Sequence, residues 1–265
     1  MQIKCIERVV VAVRDLDAAR ERWQRAGFGI GAERISIDGV SFARFAAGAI
    51  EIDLCHAEGN SAKGALADAV ARKAADVGGV AGWSWGIAPD GDSPGGRTIK
   101  FPGLSGARID AAVDGSGLEG VFTARVAVAS GKQARSDDLG RQFGNNTNTV
   151  EFLEHIVVMA PVLDDAIAVY EAGGLPCRRI RDAGRGIRQA FFKLEDTVLE
   201  VVGPSERELG VWGLAFMCGD IARAVATARG NGLEATEPKT AVQGGRIARI
   251  VAPLDGVAIA FMQRA

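Results

Sequence analysis

The stretch that decides the fold is Phe152-Leu-Glu-His-Ile-Val-Val-Met-Ala160, because the chain contains a second copy of it. It is an apolar run with the length of a buried strand, and it carries one histidine, His155. Residues 6–13, Ile-Glu-Arg-Val-Val-Val-Ala-Val, repeat the pattern 147 positions earlier (155 − 8 = 147), with Arg8 in the place of His155. This self-similarity predicts a chain built from repeated structural units.

Each copy of the strand begins a βαβββ unit. In the first copy, Asp15-Leu16-Asp17 begins a helix that ends at Gly27. The same order follows the second copy, and two further units begin near Gly82 and Trp212. The strands predicted from alternation and turn residues in the two clearest units are 29–37, 40–47, 49–55, 177–183, 187–194 and 197–202. A lone unit leaves one sheet face bare, so we expect an α+β fold of tandem paired βαβββ modules forming two half-open barrel-like domains.

The length of 265 residues suits two domains. We predict an N-terminal domain over residues 1–130, whose second unit is degenerate, and a C-terminal domain over residues 150–265. Residues 131–149 are polar and rich in Gly, Asn, Ser and Arg, which indicates a linker. Pairing of units within one chain and pairing across a homodimer both remain open at this stage.

Composition narrows the class of protein. The formal net charge is −2 and no long run of like charges occurs, which argues against nucleic-acid binding. The apolar runs are strand-sized, and the N-terminus resembles a strand, so we expect no membrane span and no signal peptide. The four cysteines lack CxxC spacing and lie in or beside apolar segments, which indicates buried thiols in a reducing cytoplasm. No motif for a nucleotide, flavin or haem is present.

The repeated units, with Asp-Leu-Asp helix openings such as Asp15–Asp17 and final strands such as Gly256-Val-Ala-Ile-Ala260, resemble the vicinal oxygen chelate superfamily. That superfamily includes glyoxalase I, bleomycin-resistance proteins, methylmalonyl-CoA epimerase and extradiol dioxygenases. The resemblance covers almost the whole chain. It implies that inward-facing residues near the start of the first strand and on the last strand of each unit hold a metal.

Carried over to this sequence, the resemblance assigns His155 and Glu200 to the third unit as catalytic residues and metal ligands. It assigns Arg8 and Glu51 to the first unit. The remaining positions are Gly82 and Asp110 in the second unit, and Gly213 and Ala260 in the fourth. The implied cofactor is one divalent metal, with Zn, Mn, Fe, Co and Ni all compatible. The chain has only His56 and His155, so the set of two His and one Glu used in extradiol cleavage is absent and that reaction is disfavoured.

Each candidate also has a simpler interpretation. His155 and Glu200 could be metal ligands or a metal-free acid/base pair, or His155 could be a partly buried strand residue bonded to Glu154, Glu200 or the backbone. Arg8 and Glu51 could bind substrate or form an internal ion pair. The tryptophans Trp83, Trp85 and Trp212 could line an apolar substrate pocket or belong to the core. Arg246, on a predicted strand, could face a cavity or solvent.

These residues predict an enzyme of the lyase, isomerase or hydrolase kind. It would act on a small oxygenated, partly apolar molecule through an enolate or oxyanion. The alternative is a bleomycin-resistance-like protein that binds a small molecule without chemistry. A third possibility is that the first domain is a structural partner of an active second domain.

Overall fold

The computed structural model describes residues 3–31, 34–37, 39–62, 64–87, 122–127, 146–242 and 244–265. The elements of the first half are β1 Ile3–Ala12, α1 Leu16–Arg25, β2 Ile35–Ile37, β3 Val40–Ala47, β4 Ile50–Ala57, a 3-10 turn at Gly59–Ser61, α2 Ala65–Ala75, β5 Gly79–Ile87 and β6 Phe122–Ala127. The elements of the second half are β7 Val150–Met159, α3 Leu163–Ala172, β8 Arg179–Gly184, β9 Ile187–Leu194, β10 Thr197–Gly203, β11 Gly210–Cys218, α4 Ile221–Gly230, β12 Lys239–Thr240, β13 Arg246–Arg249 and β14 Ala258–Gln263.

The strands form two sheets, one in each half of the chain. Sheet A has the order β2-β3-β4-β1-β5-β6, and sheet B has the order β12-β13-β14-β11-β7-β10-β9-β8. The first strands of neighbouring units pair antiparallel, β1 with β5 and β7 with β11, and each also pairs parallel with the last strand of its own unit. The units therefore pair within the chain, and the predicted α+β fold of paired βαβββ modules is confirmed.

The strand register corrects one predicted equivalence. Arg8 lies opposite Glu51, whereas His155 lies opposite Val198 and Glu200 lies opposite Val157. The residue of the first unit that matches Glu200 is therefore Asp53, two positions beyond Glu51. Alternation could not reveal this, because residues two apart on a strand point to the same face.

One predicted residue of the second unit, Asp110, lies outside the described residues. Among the residues that the structure describes, the parallel partner of β5 is β6, with Gly82 opposite Phe122.

One hydrophobic core joins the two sheets. Alternate strand residues and the apolar sides of α1, α3 and α4 form a single buried cluster. Phe28, which follows α1, packs against Phe45 of sheet A and Phe216 of sheet B, with ring centroids 4.7 Å and 4.9 Å apart. We call the sheet faces that contribute to this cluster the core faces and the opposite faces the barrel faces.

Polar contacts also connect the two halves of the chain, in a region that we call the joint. The carboxylate of Asp255 accepts from the guanidinium of Arg22 and, at 3.0 Å, from Nε1 of Trp23. Asn148, which is fully buried, donates from Nδ2 to the carbonyl of Ala26 at 2.9 Å. The end of the predicted linker is thus fixed to the C-terminus of α1.

The two barrel faces differ in what covers them. On sheet A, α2 packs Ala67 and Val70 against a second apolar cluster that includes Val10, Phe42 and Cys55. Helices α3 and α4 contribute to the core, on the other side of sheet B. In the described part of the chain no helix packs on the barrel face of sheet B, and none of the described helices is long and apolar enough to cross a membrane.

Candidate active site on the barrel face of sheet B

A β-bulge in β7 places two consecutive residues on the barrel face. On the partner strand β11, the consecutive residues Ala215 and Phe216 pair with His155 and Leu153. Glu154, which lies between them on β7, is therefore the extra residue of the bulge. Leu153 and Ile156 both belong to the core. Glu154 and His155 therefore both project from the opposite face, which a regular strand would not allow.

The bulge brings the Glu154 carboxylate against the His155 imidazole. His155 is 8% exposed, and its Nδ1 contacts Oε2 of Glu154. Neither atom has a hydrogen-bond partner among the residues that the structure describes. Because a carboxylate faces Nδ1, we expect the neutral imidazole to carry its proton there, which would leave Nε2 to exchange a proton with a ligand.

Glu200 lies on the neighbouring strand, β10, and is half-buried on the same face. Nε2 of Gln189 donates to Oε1 of Glu200 at 2.6 Å, and Arg181 donates from Nη2 to Oε1 of Gln189 at 2.5 Å. Burial raises the pKa of Glu200; the charges of His155 and Arg181 oppose the shift, and Glu154 adds to it. The site therefore holds a carboxyl group that keeps its proton more readily than an ordinary glutamate.

The side chains that could bind a metal do not form the metal site that the resemblance implies. The matching residues of the fourth unit are Gly213 and Ala260, and neither has a side chain that can bind a metal. Among the described residues, no three or more His, Cys, Asp and Glu side chains group in a way that could hold a metal ion. Gly213 is explained by packing, since a Cβ there would lie 2.7 Å from the carbonyl oxygen of Ala258. The side chains present thus fit an acid/base cluster better than a metal site.

The matching place on sheet A is a closed set of ion pairs. Nη2 of Arg8 lies 2.5 Å from Oε2 of Glu51, and its Nε lies 3.3 Å from Oδ2 of Asp53. Arg44 binds the fully buried Asp53 through two nitrogens, at 2.5 Å and 3.0 Å. Two cations and two carboxylates satisfy one another, which favours the internal ion-pair interpretation of Arg8 and Glu51 over substrate binding.

The three tryptophans predicted to bind substrate lie in different places. Trp83 is fully buried in the core, so it does not line a cavity. The backbone of Trp85 pairs with Ile6, and its side chain lies outside what the structure describes. Trp212 is 40% exposed, at a bulge of β11 between Val211 and Gly213.

Arg246 does not join the cluster either. It lies on β13 two residues from Ala248, which is part of the core, so its side chain lies on the opposite side of the sheet from His155. Of the six residues predicted to bind substrate, Trp212 is the one whose described position is on the barrel face of sheet B.

Some solved structures are similar to this chain over nearly its whole length. A variant of 4-hydroxymandelate synthase from Streptomyces coelicolor matches over 99% of this chain and 93% of its own, with 15% identity and a TM-score of 0.66. A xylose isomerase-like TIM barrel/4-hydroxyphenylpyruvate dioxygenase fusion protein matches over 99% of this chain, with 15% identity and a TM-score of 0.65. This chain spans 49% of the fusion protein.

The chain has the fold of the vicinal oxygen chelate superfamily. A shorter match, to methylmalonyl-CoA epimerase from Mycobacterium tuberculosis, covers 44% of this chain and 90% of that protein, with 21% identity and a TM-score of 0.39. No protein-family model and no curated protein sequence match the chain. At 15% identity, the two matches that span 99% of this chain establish the fold and do not establish the reaction.

Sequence reasoning named Glu154 only as a possible bonding partner of His155, and it missed Gln189 and Arg181. The bulge that exposes Glu154 has a counterpart in β1, where Ile6 and Arg8 pair with consecutive residues of β5 and Glu7 is extra. The repeated Glu before Arg8 and before His155 was the available signal. Gln189 and Arg181 come from β9 and β8, whose register with β10 had to be known first.

Proposed function

We propose that the protein is an enzyme that moves a proton at a carbon next to a carbonyl group, in a small, oxygenated, partly apolar substrate. The reaction is of the isomerase or lyase kind. The observation that carries the proposal is the cluster of Glu154, His155 and Glu200 on the barrel face of sheet B. In the first half, a set of ion pairs and α2 occupy the matching face.

The roles of the two catalytic residues follow from their contacts. The imidazole of His155 accepts the carbon-bound proton at Nε2, and the adjacent Glu154 carboxylate stabilises the imidazolium that forms. The electron pair of the broken C–H bond moves to the carbonyl oxygen. The protonated carboxyl of Glu200 donates a hydrogen bond to that developing oxyanion. Return of the proton at a different face or carbon gives an isomer, and loss of a neighbouring leaving group gives a lyase product.

The surroundings of the cluster favour a partly apolar substrate. Three of the four methionines, Met159, Met217 and Met262, alternate with core residues on their strands and so belong to the barrel face. Phe191 lies opposite Glu200 on the same face. Methionine and aromatic side chains adapt to apolar groups of varied shape. Glu154, His155 and Glu200 come from one chain, so the proposed chemistry does not require a dimer.

The predicted divalent metal remains a separate proposal. His155 and Glu200 would be its protein ligands, and when bound it would stabilise an oxyanion by Lewis acidity. Because the donor set falls short of a metal site, the roles above involve only protein groups. Metal analysis of protein purified without chelator or affinity tag tests the metal version: stoichiometric bound metal supports it, and no metal with activity that resists EDTA removes it.

The test of proton transfer is hydrogen exchange at substrate carbon. The protein is incubated in D2O with a panel of small ketones, aldehydes and oxo acids, and proton NMR follows loss of the signal beside each carbonyl. We expect exchange of at least one compound, slower by about 100-fold or more in His155→Gln and in Glu200→Gln. His56→Gln is the control, because His56 lies in β4 of sheet A, and it should exchange at the wild-type rate. Equal exchange by wild type and His155→Gln would refute the proposal.

Binding without chemistry is the second candidate. Ala215, Ala258 and Ala260 have small side chains on the barrel face, where larger ligating groups would otherwise stand. Saturable binding of a panel compound with no exchange, and no effect of His155→Gln on its affinity, would favour this candidate over the enzyme.

A further inference from the structure

The barrel face of sheet B holds an arginine whose charge is not neutralised by an adjacent carboxylate. Arg181 is half-buried on β8 and uses Nη2 to bind Gln189. Its Nε is buried and has no hydrogen-bond partner, and no carboxylate lies within ion-pair distance of it in the described part of the chain. A buried donor on a cation without an acceptor is costly unless a ligand supplies one.

The first half of the chain has an arginine with carboxylate partners at the matching edge of its sheet, one residue out of step with Arg181, because Ile35 lies opposite Phe42 where Arg181 lies opposite Gln189. This residue is Arg34, whose Nη2 lies 3.5 Å from Glu58 and whose Nη1 lies 3.8 Å from Asp17. In the second half the residue matching Glu58 is Ser205, which has no charge. The residue matching Asp17 is Asp164, which binds Arg188 at 2.7 Å.

A second arginine lies on the same face nearby. Arg179 is exposed and lies opposite Phe191, and Arg181 lies opposite Gln189, so both project from the barrel face at the β8 edge. Gln189 connects Arg181 to Glu200, which places the cation one side chain away from the proposed acid. A ligand in contact with His155 and Glu200 would therefore meet a guanidinium at this edge.

We propose that Arg181, with Arg179 at the rim, binds a carboxylate group of the ligand, so that the substrate is a small carboxylate with an apolar remainder. The proposal rests on the proposed function in placing the substrate at this face. A monoanion is favoured over a phosphate group because the Glu154 carboxylate lies on the same face, and a dianion would be repelled more strongly by it. A planar guanidinium also matches the two oxygens of a carboxylate.

The test is a binding measurement with matched probes. Hexanoate, hexanamide and pentylphosphonate have similar apolar chains and differ in the charge of the head group. Their dissociation constants are read from the 13C-methyl signals of Met159, Met217 and Met262. We expect hexanoate to bind the wild type more tightly than the other two, and Arg181→Gln to weaken hexanoate about tenfold or more without changing hexanamide.

Arg188→Gln is the matched control. It removes one positive charge from the same hairpin, but Arg188 binds Asp164 and its side chain lies on the core side of the sheet. It should leave hexanoate binding unchanged. Equal losses of hexanoate affinity in Arg181→Gln and Arg188→Gln would overturn the proposal, because the change in net charge alone would then explain the effect. Equal affinities for hexanoate and hexanamide, tighter binding of pentylphosphonate, or no hexanoate binding by the wild type would overturn it too.

The outcome is independent of the exchange experiment. Arg181-dependent carboxylate binding with no hydrogen exchange in any compound would support this inference and refute the proposed reaction. Exchange that depends on His155 but is equally fast for acids and for their amides would support the reaction and refute the carboxylate site.

Discussion

At the scale of residues, one scaffold position serves two purposes in the two halves of the chain. Arg8 has a permanent charge, and Glu51 and Asp53 neutralise it on sheet A. His155 occupies the matching position on sheet B, and its contact with Glu154 leaves Nε2 for proton exchange. An arginine always carries its charge, whereas an imidazole can both accept and donate a proton, so the replacement of Arg8 by His155 allows acid/base chemistry at this position.

The geometry of the bulge predicts the tautomer of His155. Neutral imidazole in water favours the proton on Nε2, whereas the Glu154 carboxylate should hold it on Nδ1. Nitrogen-15 NMR of histidine-labelled protein, with His56→Gln to assign the two rings, reads this directly. We expect Glu154→Gln to weaken the preference, and an Nε2-protonated His155 in the wild type would contradict the assigned contact.

The buried carboxyl of Glu200 predicts a pH-dependent stability. Burial raises its pKa above the ordinary 4.5, so the folded chain binds this proton more tightly than the unfolded chain. Stability therefore falls as the pH rises through the interval between the ordinary and the raised pKa, and the cost persists above it. Glu200→Gln removes the ionisable group and should raise the free energy of unfolding at pH 7, with the gain vanishing below the ordinary pKa.

Urea denaturation of Glu200→Gln at several pH values checks this expectation. Glu206→Gln is the control, because Glu206 is exposed, and it should behave like the wild type. A gain for Glu200→Gln that is the same at every pH would show that titration of Glu200 is not its cause.

At the scale of elements, the sequence predicts the order of strands and helices better than it predicts their contacts. The helix starts were readable because Asp15 and Asp220 accept from the backbone N–H three residues on, at 3.0 Å in both cases. The equivalence of Asp53 and Glu200 could not be predicted from the sequence, because a register shift of two residues leaves the alternation of inward and outward side chains unchanged. The bulge at Glu154 was missed because an extra residue breaks the alternation on which strand predictions rest.

The pairing of β3 with β4 predicts a large cost for breaking the ion-pair set on sheet A. Arg44→Met leaves the fully buried Asp53 with one of its two cations, and we expect a loss of about 3–5 kcal/mol in the free energy of unfolding. Arg34→Met is the control: the side chain of Arg34 is 50% exposed, and its loss should be below about 1 kcal/mol. Chemical denaturation measures both, and similar losses would mean that the buried ion pairs add no special stability.

At the scale of the whole molecule, the two sheets share a core and a polar joint. Gly27 ends α1 at φ +89° and lies in that joint, where a Cβ would meet Asn148 at 2.8 Å and Thr227 at 2.9 Å. The second half thus packs directly on the end of the first helix of the first half. Sheets A and B are held together by contacts that involve both.

The crowding around Gly27 can be separated from its backbone conformation. Gly184 has a similar φ of +84°, but a Cβ there would meet nothing within 4 Å, so Gly184→Ala should cost only the backbone strain, about 1–2 kcal/mol. Gly27→Ala should cost more, because Asn148 and Thr227 must also move. Equal denaturation midpoints for the two variants would show that the joint is not tightly packed.

Proton transfer by His155 is tested by the ratio of the exchange rates of His155→Gln and the wild type, for the carbonyl compound that the wild type exchanges fastest in D2O. We expect a ratio of about 1:100 or lower, with His56→Gln at the wild-type rate. A ratio near one would contradict it.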